Sequence, residues 1–104
     1  MSDDQIDRKI AVIFATDVVG YSKSMEADEA QTIKNLRACR KLLDSSLKNH
    51  YGRIFNTAGD SVLAEFSSAV AAVECAAEFQ ANISKRNQSS EPASRMEFRI
   101  GINM

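Results

Sequence analysis

The sequence predicts an α+β fold: a split-βαβ, ferredoxin-like sandwich in which one sheet is covered by two helices. Three observations point there. Residues 10–15 (IAVIFA) form a continuous apolar run of strand length. Two stretches, one from about Asp28 and one after Ser67 and Ser68, carry apolar residues at helical spacing. Residues 96–104 alternate apolar and polar side chains, as a strand with one buried face does.

The elements follow in chain order. Residues 1–7 (MSDDQID) are polar and acidic and read as a loose tail. The first strand ends at Thr16-Asp17, and Gly20 marks a turn into helical territory. From about Asp28, the residues Ile33, Leu36, Cys39, Leu43 and Leu47 form one face of a long amphipathic helix. Lys48 and His50 suit its last turn, where the dipole favours cations, and Gly52 can supply the stop. His50 reads as a solvated helix-end residue. Residues 53–57 (RIFNT) and 61–66 (SVLAEF) read as short strands joined by a tight turn at residues 58–60 (AGD). Ser67 or Ser68 can cap the next helix, whose apolar stripe is Ala69, Val73, Ala76, Phe79 and Ile83. Residues 85–95 (KRNQSSEPASR) hold the only proline and read as an exposed loop.

The order strand, helix, strand, strand, helix, strand sets the topology. With right-handed crossovers the first strand lies centrally, beside the third and the fourth, and runs antiparallel to the third. The fourth then lies at an edge of the sheet.

Composition narrows the function. The formal net charge of -1 leaves no basic stripe for phosphate backbones, so a nucleic-acid partner is not expected. The longest apolar run is too short to span a bilayer, so no membrane segment is expected and a cytoplasmic location is. Cys39 and Cys75 lack metal-ligand spacing and read as reduced core thiols, as the helix stripes read as core. Tyr21 and Phe55 read as packing residues.

Asp17 and Asp60 carry the chemistry. Taken singly, Asp17 reads as a helix cap and Gly59-Asp60 as an ordinary hairpin tip. In the predicted topology, however, both carboxylates reach the same edge of the sheet. Neighbouring carboxylates repel each other unless a cation or proton lies between them. Mg²⁺ held by one or two carboxylates and substrate phosphates is the usual resolution, often as a pair of ions roughly 4 Å apart. Backbone N–H groups just after Asp17 could cradle a triphosphate.

Four segments carry a family resemblance. Residues 10–29 (IAVIFATDVVGYSKSMEADE) resemble the opening of bacterial class III adenylate/guanylate cyclase catalytic domains. Residues 52–60 (GRIFNTAGD) are similar to that family's metal-binding hairpin, and residues 66–70 (FSSAV) and 98–103 (FRIGIN) also follow its pattern. The match runs in order over residues 8–104, which therefore read as a partial cyclase catalytic domain.

The resemblance implies that Asp17 and Asp60 are catalytic and bind two Mg²⁺ or Mn²⁺ ions, joined by the carbonyl of Val18. It assigns the nucleotide phosphates to the backbone of Val19, Gly20, Tyr21 and Ser22. The implied reaction is attack of a ribose 3′-hydroxyl on the α-phosphate, giving a cyclic nucleotide and pyrophosphate. The substrate would be ATP more than GTP, and the sites would form between the chains of a homodimer. Asn56 stands where adenylate cyclases usually have Lys and guanylate cyclases Glu, and it would contact the base. The family's second base contact and its transition-state Asn and Arg fall after the matching segment. The chain is therefore expected to be truncated before the C-terminal part of the domain and to be inactive alone. A cyclase-like regulatory or dimerisation module and an unrelated ferredoxin-like binding domain stay open beside this reading.

Overall fold

The computed structural model describes residues 11–104, so the expected tail and Ile10 lie outside the described residues. Its elements are β1 (Val12–Val18), α1 (Tyr21–Ala27), α2 (Glu29–Asn49), β2 (Arg53–Ala58), β3 (Ser61–Phe66), α3 (Ala69–Gln88) and β4 (Phe98–Asn103). A short 3₁₀ turn at Pro92–Ser94 precedes β4. The sheet order is β2-β3-β1-β4, and every neighbouring pair is antiparallel. This is the split-βαβ arrangement with β1 central and β4 at an edge, as the element order predicts.

The core lies on one side of the sheet. Strand alternation sends Val12, Phe14 and Val18 of β1 and Val62, Ala64 and Phe66 of β3 beneath the helices. Cys39, Leu43 and Leu47 of α2 and Ala72, Cys75, Phe79 and Ile83 of α3 complete the cluster. Phe79 meets Phe98 edge-on at 5.0 Å between ring centroids, tying α3 to the edge strand. Burial raises both cysteine thiols above their usual range, Cys75 to about 11, so both remain protonated at neutral pH.

Several boundaries differ from the sequence reading. β1 runs on through Asp17 to Val18, because Val18 continues the pairing with Phe98. The buried face of α2 includes Thr32, Asn35 and Ser46, whereas Ile33 and Leu36 are only half-buried. Thr32 reaches the Ser24 carbonyl of α1 at 2.9 Å, and Asn35 accepts from Gln31 and Arg86, so hydrogen-bond partners allow these two polar groups inside. On α3 the buried stripe is Ala72, Cys75, Phe79 and Ile83, and Val73 points outward. α3 continues to Gln88, past the expected start of the loop; Asn87 there bonds the backbone N–H and C=O of Met96 and sets the approach to β4.

The stop of α2 is divided between two residues. Tyr51 takes the left-handed conformation (φ 63). Gly52 lies so close to Phe66 that a Cβ would come within 2.5 Å of its ring. His50 is half-buried, not solvated: its Nε2 lies 2.9 Å from Glu78 Oε1 on α3. Phe55 sits at a β-bulge and is exposed instead of packed, while Tyr21 does pack against the core.

Candidate functional site

The second face of the sheet carries the chemistry. Thr16 and Val18 face the helices, so Asp17 between them projects to the open side. Asp60 comes from the two-residue turn between β2 and β3, closed by the pair Ala58 and Ser61. Gly59 permits that turn with φ 59, a region that costs glycine little. The turn folds across the end of β1, where Asp60 Oδ2 accepts the main-chain N–H of Val18 at 2.9 Å. One carboxylate thus belongs to Asp17, and the other is fixed to the backbone of the next residue. Residues far apart in sequence are brought together at one end of the sheet.

A third charge completes the group. β4 places Arg99 directly opposite Asp17, and the guanidinium forks onto it, Nε to Oδ1 at 2.9 Å and Nη2 to Oδ2 at 3.1 Å. Hydrogen bonding to Asp17 and then its charge raise the pKa of Arg99, and Asp60 adds to the same shift. The alternation of residues 96–104 puts Arg99 on the polar side of its strand, but its partner is fixed only by the β1–β4 register.

Beside these charges lies a shallow depression of about 390 Å³, lined by Ala15, Asp17, Ser61, Leu63, Arg99 and Gly101 among others. Ala15 faces Gly101 across the strands, and these two small residues keep the floor low. Asn56 pairs with Leu63, and Leu63 with Ala15, so Asn56 shares the same face and row. Two strand spacings separate Asn56 from Ala15, roughly 10 Å.

The backbone after Asp17 is less uniform than the sequence suggested. Val19 N–H donates to the Glu97 carbonyl at 2.8 Å and is therefore already engaged. Gly20, with φ 68, opens α1, which leaves Tyr21 and Ser22 in its first turn, where helical N–H groups lack intrahelical acceptors.

The donor set at Asp17 and Asp60 consists of hard oxygens and fits a divalent cation of the Mg²⁺ or Mn²⁺ kind. The Asp60–Val18 bond uses one carboxylate oxygen and so orients the other. The fork of Arg99 shows that Asp17 accommodates positive charge on the open face.

No protein-family model matches the chain. It is 41% identical over 105 residues to "Putative adenylate cyclase 3" of Rhizobium meliloti (strain 1021), covering 100% of this chain and 18% of that protein. Among solved structures it resembles an adenylate/guanylate cyclase/hydrolase from Silicibacter pomeroyi, at 36% identity and a TM-score of 0.80, covering 89% of this chain and 55% of that one. The guanylate cyclase domain of RhGC from Catenaria anguillulae in complex with GTP shares the fold at 16% identity and a TM-score of 0.64, covering 88% of this chain and 54% of that one. The chain thus spans less than a fifth of the curated relative and about half of these structures. No helix among the described residues is long and apolar enough to cross a membrane.

Proposed function

Because the chain belongs, in sequence and fold, to the class III adenylate/guanylate cyclase catalytic domains, as an N-terminal part of one, we propose that it supplies the metal-binding half of a nucleotide cyclase site. The reaction is conversion of a nucleoside triphosphate, ATP in preference to GTP, to a 3′,5′-cyclic nucleotide and pyrophosphate in the cytoplasm. The observation that supports this reading is the hydrogen bond from Val18 N–H to Asp60, which fastens Asp60 to the residue that follows Asp17, itself part of the lining of an open depression.

Each residue has a role in this reading. Asp17 and Asp60, with the Val18 carbonyl, would hold two divalent cations. Bound there, the ions would lower the pKa of the ribose 3′-hydroxyl and draw charge from the leaving pyrophosphate. The Val18 N–H keeps Asp60 oriented, so little reorganisation is needed when substrate arrives. The N–H groups of Gly20, Tyr21 and Ser22 receive the phosphates, while that of Val19 is held by Glu97. Asn56, on the same open face of the sheet, meets the base; its amide can both donate to and accept from an adenine edge.

A homodimer would close the site. The face that carries Asp17 also presents half-buried Ile13, Ala15 and Leu63, apolar surface that a second chain could cover. The 104-residue chain alone is expected to bind metal nucleotide weakly and to turn none over. The test is an ATP and GTP turnover assay on a polypeptide carrying the whole domain, with Mn²⁺ present. Cyclic product that disappears in Asp17→Asn and Asp60→Asn supports the reading. Undiminished turnover in either variant contradicts it. A folded whole domain that binds but never turns over would favour a regulatory or dimerisation module, a reading that Asn56 in place of Lys or Glu permits.

A further inference from the structure

We propose that Arg99 is a built-in counter-cation that competes with the divalent metal for Asp17, so that the site rests closed by the protein's own charge. The proposal builds on the reading of Asp17 as a metal ligand and adds a residue that sets how readily the metal enters. Both oxygens of Asp17 accept from the Arg99 fork. A hard cation draws its carboxylate oxygens to about 2.0–2.1 Å and repels a guanidinium at that range. The metal and the fork therefore cannot hold Asp17 together in the observed geometry.

The surroundings permit an exchange. Arg99 lies on the edge strand, and its side chain is 70% exposed, against 37% for Asp17. Both partners reach solvent, so the fork, although bidentate, can be opened by a divalent ion that takes the same two oxygens. Arg99 can swing into solvent by side-chain rotation alone, with β4 still paired to β1. Until then the fork holds the Asp17 carboxylate in a fixed orientation at the rim of the depression. Arg99 thus acts as a positioning residue in the metal-free site and as a brake on metal binding.

The experiment is a Mn²⁺ titration of the 104-residue chain without nucleotide, following free Mn²⁺ by electron paramagnetic resonance. Four proteins are compared with the unmutated chain: Arg99→Gln, Arg99→Lys, Arg95→Gln and Asp17→Asn. Arg95 bonds to the Ser90 carbonyl, and its loss removes the same charge without touching Asp17. Arg99→Gln is expected to bind Mn²⁺ about three- to tenfold more tightly, with Arg99→Lys between it and the unmutated chain. Arg95→Gln should match the unmutated chain, and Asp17→Asn should lose the binding. Asp17-dependent binding that is no tighter in Arg99→Gln overturns the competition and leaves the metal site standing. Equal tightening in Arg95→Gln assigns the effect to net charge and also overturns it. If no variant shows Asp17-dependent binding, the metal reading fails and the proposal with it. In the unmutated chain the NMR signal of Arg99 Nε–H should move on saturation with Mg²⁺. A signal that stays unchanged at saturation contradicts the exchange.

Discussion

Asp60 reaches back across the sheet to accept the main-chain N–H of Val18 at 2.9 Å, so the β2–β3 turn is fastened to the end of β1 beside Asp17. This contact links fold to chemistry. It satisfies a partly buried donor and at the same time holds Asp60 against the residue that follows Asp17.

The contact separates two variants of Asp60. Asp60→Asn keeps an acceptor for Val18 and should change stability by less than about 1 kcal/mol, while removing the charge needed for metal. Asp60→Ala leaves the N–H without a partner and should cost about 1–2 kcal/mol. Urea unfolding of both checks this, and equal losses would show that the bond contributes nothing.

The end of α2 offers a test independent of function. Gly52→Ala should destabilise the protein by about 1–3 kcal/mol, because its Cβ would overlap Phe66 and Leu47. Tyr51→Gly should do the opposite by about 0.5–1 kcal/mol. Tyr51 is 87% exposed, so little packing is lost, and glycine relieves the left-handed strain. Thermal melts of the two variants should move in opposite directions.

A pH effect follows from the tie between α2 and α3. Hydrogen bonds from His50 and Asn49 lower the pKa of Glu78 from its ordinary value of 4.5. A depressed carboxylate contributes stability above the unfolded pKa and loses it as pH falls through the folded one. Comparing Glu78→Gln with the unmutated chain, the stability difference should be full above pH of about 5 and shrink as the pH drops below about 4.5. A difference that persists unchanged to pH 3 would contradict the assignment.

Base selectivity tests the row across the open face. In the whole domain, Asn56→Lys should raise the preference for ATP over GTP, with the larger change in kcat/KM for ATP. An unchanged ratio would mean that Asn56 does not face the base.

Much of this arrangement was legible in the sequence. The element order and the rule for right-handed crossovers put β1 beside β3, and the meeting of Asp17 and Asp60 at one end of the sheet followed. The hairpin at Gly59-Asp60 announced itself through its turn residues. Helix faces were read less well, because apolar periodicity cannot detect buried Thr32, Asn35 or Ser46, and an alanine-rich helix such as α3 gives its stripe little contrast. The pairings of Arg99 with Asp17 and of His50 with Glu78 depend on register and helix packing. Strand or helix pattern alone carries neither. The bond from Val19 N–H to Glu97 leaves no mark in the sequence, because the approach of Glu97 is set by Asn87, which lies in a polar stretch of loop-like composition.

The most direct test is anomalous diffraction from crystals of the 104-residue chain grown with Mn²⁺ and a non-hydrolysable ATP analogue. Manganese density is expected, bonded to carboxylate oxygens of both Asp17 and Asp60 at roughly 2.0–2.3 Å. Arg99 should then have left Asp17. Manganese density elsewhere, with Arg99 still forked onto Asp17 and Asp60 bound only to Val18, would contradict it.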